Sequence, residues 1–382
     1  MTSPYRSDFD MPGDVAYLNA ASFSPLPIET CAIGRAAVSN KVQPWLLPAD
    51  FANQQYELAR ASAARLIGVA TDDVSLISSV GYGVATIAKG LELPRGSRVI
   101  VLEDDHASPV LEWHVRGEAQ GFTVDTVRRP AHLDWTTAVI EAIGRPGAPQ
   151  VGAVSISSMH WSDGALLDMA AIAEAARVCG AAFIIDATQT TGVIALNIAA
   201  IDPDALIFPT YKWLLGPYGR AFMYVAKRRQ NGMPLEQTQH SRMNVRAENE
   251  VYFGDLAFAP TARRFDMGER DHFISMAMAT ASIDYINRIG PVAVSAHLRP
   301  LIERLADGLV KLPVRIAPPR CRAPHILGIE FLAGRPPDLM QRLARQNVFG
   351  AWRLGRLRLS PHIYNDTADI DRAITALRST LG

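Results

Sequence analysis

Two charged residues follow neighbouring apolar runs near the middle of the chain. Asp186 ends the run FIID, and Lys212 follows the run ALIFPTY. In an open parallel sheet, residues just past the carboxyl ends of strands line the ligand crevice, so we expect both charges at one site. A buried carboxylate can keep a pyridine nitrogen protonated, and a lysine amine can form an imine with an aldehyde. The pair predicts a site for pyridoxal phosphate, although a lone Asp at a strand end is as often a helix cap and a lone Lys is usually a solvated charge.

Other polar residues could complete this site. Gln189 lies three residues beyond Asp186 in DATQ, near enough in a strand-to-helix turn to reach the phenolic oxygen of the same ligand. The segment ISSVGYGVATIAKGL places two serines and two glycines at the start of a helix that we expect to begin near Tyr82. Hydroxyls, first-turn amides and the positive helix end suit a phosphate. Such turns are common, so this segment indicates phosphate binding only together with the Asp–Lys pair.

Alternating helix-like and strand-like segments between about 50 and 230 must position these residues. The alternation is typical of a parallel α/β sheet. Strands are predicted at 98–102, 151–156, 181–185, 205–208 and 221–225, with helices over 53–67 and from a cap at Asp168 through Val178. Beyond Gly268, helices are predicted at 272–289, 295–311, 336–346 and 367–380, and strands at 326–332, 348–353 and 356–360.

The change of pattern after Gly268 predicts four segments. Residues 1–50 are expected to contribute to a small domain and to the active site, and residues 51–268 to form the large α/β domain that binds the cofactor. Residues 269–294 are predicted to be a linker helix. Residues 295–382 are predicted to form the small C-terminal α+β domain, because the strands and helices there do not repeat the βα alternation.

The composition argues against several classes of protein and of binding site. Lys and Arg total 38 and Asp and Glu total 38 in 382 residues, so no global field would attract nucleic acid or an anionic membrane. No segment has the pattern of a secretory signal or the apolar length of a membrane span, and a cytoplasmic location is expected. Three scattered cysteines and nine histidines without close ligand spacing predict neither a disulfide framework nor a metal site.

The motifs together resemble those of a known family. The chain is similar to class V aminotransferases, fold-type I pyridoxal-phosphate enzymes that include cysteine desulfurases, kynureninase and isopenicillin N epimerase. The resemblance runs from YLNAASFSPLP at 17–27 to RLSPHIYNDTADID at 358–371, and DATQ followed by TYKWLLGPYG is its most specific part. It implies an α/β fold with a mainly parallel seven-stranded sheet between helices, a small α+β C-terminal domain, and a homodimer.

The resemblance also implies roles for individual residues. Lys212 is implied as the Schiff-base lysine, with Asp186 and Gln189 as partners of the pyridine nitrogen and the phenolic oxygen. His106 in EDDHASPVLEW matches the position whose ring stacks on the cofactor. Gly81 and Tyr82 match positions whose backbone amides contact the phosphate, and Tyr211 matches a position whose side chain often reaches the phosphate too. Trp161 matches a position near the cofactor.

An arginine near the end of the chain matches the family position that grips the substrate carboxylate. Arg358 in RLRLSPHIYN holds that position, and a planar guanidinium can make two parallel hydrogen bonds to a carboxylate. Arg356 would face the same side of a strand and is the alternative. We favour Arg358, although without the motif it would be interpreted as a surface arginine on an edge strand.

The sequence departs from the family pattern in two places. Cysteine desulfurases carry a nucleophilic cysteine on a loop before the substrate arginine, but residues 345–357 contain no cysteine. The family's Gly-Thr-Pro segment, whose Thr can touch the phosphate of the neighbouring subunit, reads here as RFDMGERD. Glu269 stands where the Thr would be and cannot donate a hydrogen bond when ionised. Arg270 is the residue that could compensate.

These features predict an enzyme that acts on a small α-amino acid through Lys212. An aminotransferase or related amino-acid lyase is the first hypothesis, and a persulfide-forming desulfurase is not expected. An epimerase of the isopenicillin N type is the alternative among enzymes. A catalytically silent cofactor-binding regulator and a nucleotide-binding oxidoreductase are the alternatives from other classes. The presence of Lys212, Asp186 and Arg358 argues against the first of these, and the absence of GxGxxG after an early strand argues against the second.

Overall fold

The strands of the computed structural model form three sheets within the part of the chain that it describes, residues 2–246, 250–270 and 272–381. In chain order they are β1 (Ala16–Tyr17), β2 (Val74–Ile77), β3 (Arg98–Leu102), β4 (Thr123–Val127), β5 (Val151–Ser157), β6 (Ala182–Asp186), β7 (Ala205–Pro209), β8 (Ala221–Val225), β9 (Val314–Arg315), β10 (Leu327–Phe331), β11 (Val348–Phe349), β12 (Ala351–Arg353) and β13 (Arg356–Leu359).

Helices separate most of these strands. They are α1 (Ile28–Val42), α2 (Phe51–Ile67), α3 (Val80–Gly90), α4 (Ala107–Gln120), α5 (Trp135–Ile143), α6 (Met169–Val178), α7 (Ile198–Ile201), α8 (Phe273–Ile289), α9 (Pro291–Gly308), α10 (Leu339–Ala344) and α11 (Thr367–Leu381). The predicted cap is present, since the Asp168 carboxylate accepts hydrogen bonds from the first-turn amides of α6. None of the described helices combines the length and apolarity needed to cross a membrane.

The largest sheet has seven strands in the order β2-β8-β7-β6-β5-β3-β4. The five strands from β3 to β7 pair in parallel, and only β8 runs against its neighbours. Its central strands are continuous apolar runs, as expected for strands covered by helices on both faces. The strand order reverses beside β3, where an open parallel sheet places its ligand crevice. The predicted mainly parallel α/β fold is confirmed.

Several elements differ from the sequence pattern for physical reasons. The pattern does not predict β4, an edge strand whose polar residues reach solvent, or β2, which is four residues long. It also does not single out α1, α4 and α5. The single strand predicted at 348–353 is wrong: the chain changes partners at Gly350, so β11 pairs with β1 and β12 pairs with β13. The helix predicted from 295 begins at Pro291, where proline is favoured in the first turn.

The smaller sheet is antiparallel, in the order β12-β13-β10-β9, and the N-terminal segment runs beside it. After β1 pairs with β11, the Ala20 amide donates to the Ser360 carbonyl (3.0 Å), which brings residues 19–22 to the end of β13. The predicted linker, α8, packs along α1 and α2. The division of the chain into domains at 50, 268 and 294 stays a prediction.

A glycine allows the two larger sheets to be joined closely. Gly328 on β10 lies opposite Arg358 on β13. A Cβ atom at Gly328 would lie 2.5 Å from the Ser162 carbonyl oxygen and 2.6 Å from the Asp163 Cα. The loop that follows β5 can therefore lie directly on the smaller sheet only because residue 328 has no side chain.

We predict that Gly328→Ala lowers the free energy of unfolding by about 1 to 3 kcal/mol, because the added methyl meets backbone atoms that cannot rotate away. Urea denaturation of the two proteins measures the change. Gly13→Ala is the matched control, since a Cβ there meets no atom within 4 Å, and it should change stability by no more than about 0.5 kcal/mol. Equal stability of the two variants would contradict the close packing.

Candidate active site

A cavity of about 310 Å³ opens at the carboxyl ends of the parallel strands. Six of the eight residues predicted to bind the cofactor line it: His106, Trp161, Asp186, Gln189, Tyr211 and Lys212. The other two, Gly81 and Tyr82, lie in the first turn of α3, and the residues just before them, Ser78, Ser79 and Val80, line the cavity. The structure therefore brings together side chains that come from five separate connections, and their individual roles stay predictions.

Lys212 is buried in this cavity and follows β7 by three residues. Burial lowers the pKa of its amine to about 8, helped by the positive charge of Arg358 and opposed by Asp186. An amine with this pKa is partly neutral near physiological pH, which is the form that attacks an aldehyde or takes a proton. The side chain thus has the protonation behaviour that imine chemistry requires.

The turn that carries Lys212 is held in a strained conformation. The Gly216 amide donates to the Thr210 carbonyl (2.9 Å), and the Leu215 amide donates to the Lys212 carbonyl (3.2 Å). Leu215 is buried with a φ of 56°, a left-handed conformation that costs a residue with a side chain about 1 to 3 kcal/mol. The surrounding core therefore fixes the position of the lysine.

Asp186 and Gln189 occupy the turn after β6. Asp186 is buried opposite Ser157 in the register of β5 and β6, and its Oδ1 accepts a hydrogen bond from the Thr188 amide (2.9 Å). The Gln189 Oε1 accepts from the Trp213 indole (2.7 Å), and its Nε2 donates to the Ala21 carbonyl (3.3 Å). Because an amide nitrogen carries two hydrogens, one remains for a ligand oxygen.

His106 lies at the mouth of the cavity in a loop with several anchors. Its ring meets the Trp161 ring edge-on, with centroids 5.9 Å apart, and burial lowers its pKa. The Trp161 indole donates to the Asp104 carbonyl (2.8 Å). The Asp105 carboxylate accepts from the Ser157 amide (2.9 Å) and hydroxyl (2.6 Å), and burial raises its pKa to about 7. The loop therefore holds a partly exposed imidazole at the cavity lining.

The amino end of α3 leaves room for an anion. The Ser79 hydroxyl accepts from the Tyr82 amide (3.1 Å), so it caps the helix. A Cβ at Gly81 would have a single neighbour within 4 Å, the Ser108 hydroxyl at 3.9 Å, whereas a Cβ at Gly83 would lie 2.8 Å from Ile77. Gly81 thus faces open space, and Gly83 is required for packing against the sheet.

Arg220 is a cavity-lining residue that the sequence did not single out. It precedes β8, it is buried, and its Nε donates to the Ser275 hydroxyl (2.7 Å). Arg220 therefore adds a positive charge to the cavity that Ser79, the cap of α3, also lines. The only sequence signal would have been its place at the start of a predicted strand beside the glycines of GPYG.

Arg358 and Arg356 have different surroundings. Arg358 is buried, its Nη1 donates to the Trp161 carbonyl (3.0 Å), and its Nη2 donates to the Ser22 hydroxyl (2.8 Å). Burial, together with Arg353, lowers the pKa of Arg358 to about 9. Arg356 instead donates to the Glu330 carboxylate (2.9 Å). Neither arginine lines the cavity, but Arg358 contacts Trp161, which does, whereas Arg356 is paired with Glu330. The choice of Arg358 as the substrate arginine stays a prediction.

Glu269 and Arg270 lie outside the cavity lining of their own chain. Glu269 is exposed with a φ of 51°. Arg270 forms an ion pair with the buried Asp266 and lies over the Tyr56 ring, 3.8 Å from its centroid. Asp266 also pairs with Arg60 (2.6 Å). Arg270 is therefore held in a buried ion cluster, and its role as a substitute for the missing phosphate contact stays a prediction.

Comparison with known proteins decides the family. The family model "Aminotransferase class-V" matches residues 47–372, most of the chain. The chain belongs to the class V aminotransferase family. Class V enzymes depend on pyridoxal phosphate, and the predicted resemblance and cofactor are confirmed.

The relatives of this class V chain differ in activity. It is 27% identical to the uncharacterised aminotransferase YcbU of Bacillus subtilis over 84% of this chain and 82% of that protein. It is 26% identical to isopenicillin N epimerase of Streptomyces clavuligerus, covering 96% and 95%. Its fold matches that of an apo cysteine desulfurase from Thermococcus onnurineus with a TM-score of 0.84 at 19% identity, covering 100% and 98%. Identity this low establishes the fold alone.

The residues of the cavity fit the class V cofactor. Asp186 is a buried acid that could face the pyridine nitrogen, Lys212 is an amine of lowered pKa that could meet the aldehyde, and Gln189 keeps an N–H that could reach the phenolic oxygen. The open space at Gly81 and the cap of α3 suit the phosphate. These residues come from different connections and line or adjoin one cavity.

Two buried histidines lie beside the class V site. His325 belongs to no motif of the sequence, and His362 lies within RLSPHIYN, where the sequence gives it no role. The His325 Nε2 donates to the Gln189 carbonyl (2.5 Å), and the His362 Nε2 donates to the Trp213 carbonyl (3.2 Å). The Trp213 ring contacts both imidazoles, edge-on to His325 (centroids 4.4 Å apart) and stacked with His362 (5.3 Å). Burial lowers the pKa of His325 to about 4 and that of His362 to about 3. Both rings are therefore neutral donors at pH 7.

We predict that these histidines make the fold sensitive to mild acid. Their pKa values in the unfolded chain are near 6.5, so the unfolded chain binds protons first and stability falls as the pH drops below 6.5 toward the folded values. Each histidine should account for about 2 kcal/mol lost between pH 7 and pH 5. Urea denaturation at both pH values measures the loss.

His325→Gln keeps a donor for the Gln189 carbonyl and removes one titrating group, so its loss between pH 7 and pH 5 should be about 2 kcal/mol smaller than that of the native protein. His132→Gln, at an exposed position, is the control and should leave the difference unchanged. An unaltered pH dependence in His325→Gln would show that His325 takes up its proton in the folded state.

Proposed function

We propose that this class V enzyme is an aminotransferase or a closely related amino-acid lyase that acts on a small α-amino acid through Lys212. The observation that carries the proposal is that Lys212, an amine of lowered pKa, shares one cavity with the buried carboxylate of Asp186. An amine and an acid so placed support chemistry at the α-carbon of an amino acid.

Each residue has a task in this proposal. Pyridoxal phosphate supplies an aldehyde for the amine and a protonated ring that stabilises negative charge at the substrate α-carbon. Asp186 would keep the pyridine nitrogen protonated, and Gln189 would donate to the phenolic oxygen. The Lys212 Nζ would take the α-proton of the substrate as general base. Arg358 would orient the substrate by its carboxylate.

The hairpin before Arg358 supports the exclusion of persulfide chemistry. Only Leu354 and Gly355 lie between β12 and β13, with φ values of 45° and 77°, the two-residue turn that closes an antiparallel pair most tightly. No cysteine occurs in residues 345–357. The three cysteines of the chain lie elsewhere, and none lines the cavity: Cys31, Cys179 and Cys321. We propose that no thiolate of this chain reaches the substrate.

Epimerisation is the second candidate, favoured by the match of the whole chain to an isopenicillin N epimerase. It would use the same Lys212 amine but return the proton to the opposite face of the α-carbon. The two candidates differ in what becomes of the amino group, and this difference can be measured.

We predict that the purified protein absorbs visible light, that borohydride reduction fixes the cofactor on Lys212, and that Lys212→Ala lowers kcat at least about 100-fold because the general base is lost. Peptide mapping identifies the labelled lysine. Lys311→Ala, at an exposed position, is the control and should keep full activity. A label on another lysine, or a colourless protein, would refute the site.

A panel of amino acids then separates the reactions. Formation of pyridoxamine phosphate with a keto acid and without ammonia supports transamination, and release of ammonia supports a lyase. Loss of deuterium from the α-carbon with recovery of the amino acid as both enantiomers supports epimerisation and excludes the first choice. Sulfide release from cysteine that is blocked by alkylating the protein would contradict the exclusion of desulfurase chemistry.

We also propose that the enzyme is a homodimer. Large apolar side chains are exposed along α1 and the turn after it, a pattern more typical of an interface than of a free surface. They are Ile28, Val38, Val42, Trp45 and Leu46. The cytoplasmic location stays a prediction.

We predict a particle of twice 41.6 kDa by light scattering and partial or full dissociation in the double variant Val42→Glu, Trp45→Glu, because buried unpaired charge opposes association. Val310→Glu changes an isolated exposed valine in a loop after α9 and should leave the mass unchanged. A monomeric native protein would reject the dimer.

A further inference from the structure

The hairpin of β12 and β13 presents three arginines on one face. Arg353 lies opposite Arg356, and Ala351 lies opposite Arg358, in the antiparallel register of the two strands. Residues two apart on a strand share a face, as do residues directly opposite each other. Arg353, Arg356 and Arg358 therefore point to the same side of the sheet, the side on which Arg358 contacts the loop after β5.

The three arginines differ in whether a carboxylate neutralises their charge. Arg356 is paired with Glu330. Arg353 and Arg358 instead meet at one neutral oxygen, because the Ser22 hydroxyl lies 3.3 Å from the Arg353 Nη2 and 2.8 Å from the Arg358 Nη2. Among residues 2–246, 250–270 and 272–381, no carboxylate lies within 4.0 Å of either guanidinium. In the same part of the chain the buried Arg358 Nε has no hydrogen-bond partner.

This excess of positive charge lowers the pKa of the basic groups nearby. Burial and then Arg358 lower the pKa of Lys212, with a smaller effect from Arg353, and Arg353 adds to the effect of burial on Arg358. Asp186 is the acid that opposes them at Lys212. The two guanidinium groups and the Lys212 amine therefore repel one another, and Asp186 is the carboxylate that offsets this repulsion at Lys212. An anionic ligand with two charged groups would balance them.

We infer that Arg353 binds a second carboxylate and that the substrate is a short α-amino dicarboxylic acid, with Arg358 holding its α-carboxylate. This inference rests on the proposed function and names its substrate class. Because both Nη2 atoms bond the same oxygen, they lie about 6 Å apart at most. That separation suits the two carboxylates of an acid of aspartate or glutamate size, one at each guanidinium, with the Ser22 hydroxyl between them.

Steady-state kinetics test the assignment. The native enzyme should show a higher kcat/KM for aspartate or glutamate than for alanine or 2-aminobutyrate. Arg353→Gln should lower kcat/KM for the dicarboxylic substrates about tenfold, mainly through KM, because a charge partner is lost. Its monocarboxylic kcat/KM should stay within about twofold. Arg353→Lys should retain part of the preference, because it keeps the charge without the planar fork.

Arg335→Gln is the matched control. The Arg335 guanidinium lies over the Trp352 ring, 4.9 Å from its centroid. Trp352 precedes Arg353 on β12, so Arg335→Gln removes a cation near Arg353 without changing Arg353 itself. It should leave the preference for dicarboxylic acids intact. An equal fall for both substrate classes in Arg353→Gln would mean that both arginines hold one carboxylate, and no fall would remove Arg353 from the site; either result overturns the inference.

Calorimetry with amine-free acids separates this inference from the proposed reaction. Succinate cannot form an imine, and it should bind the native holoenzyme more tightly than acetate and lose that advantage in Arg353→Gln. Succinate that binds no more tightly than acetate overturns the inference. Should borohydride label a lysine other than Lys212, the reaction proposal fails on its own, and succinate binding still decides the role of Arg353.

Discussion

The rest of the structure depends on keeping an amine and a carboxylate buried in one cavity. Removing either charge from water is costly unless partners compensate. The parallel sheet brings the two charges together so that each can compensate the other. β6 and β7 are neighbours, and the residues that follow both strands lie at the same edge of the sheet. Asp186 ends one strand, and Lys212 follows the other on a turn fixed by the buried, left-handed Leu215. The part of the burial cost that remains uncompensated lowers the pKa of the Lys212 amine. Imine formation requires an amine that is partly neutral in this way.

The N-terminal segment completes this arrangement by crossing between the sheets. Its Ala21 carbonyl accepts from Gln189 beside Asp186, and its Ser22 hydroxyl joins Arg353 to Arg358 on the smaller sheet. The glycine at 328 brings the same sheet against the loop that carries Trp161. Gln189 and the pair Arg353 and Arg358 therefore belong to different sheets but contact adjacent residues of one segment, so a displacement of either sheet would alter both sets of contacts.

The sequence predicts the residues of the large sheet well and those between the sheets poorly. Asp186, Gln189 and Lys212 stand at the ends of short apolar runs, where strand ends can be recognised from local pattern, and the structure lines one cavity with them. Ser22 and Arg353 are 331 positions apart in the chain, and His325 is 136 positions from Gln189. Contacts of that range depend on how strands pair, which a single sequence does not encode locally. The polar edge strand β4 lacks the apolar run that marks its neighbours.

The two-residue turn at Leu354 and Gly355 has a consequence for how this scaffold could acquire other chemistry. Its ends are fixed by the register of β12 and β13 rather than by the turn itself. Each doubling of a loop's length costs only about 0.6 kcal/mol in closure entropy. A longer segment bearing a reactive side chain could therefore be grafted at this tip, near Arg353 and Arg358, without rebuilding the strands that support it.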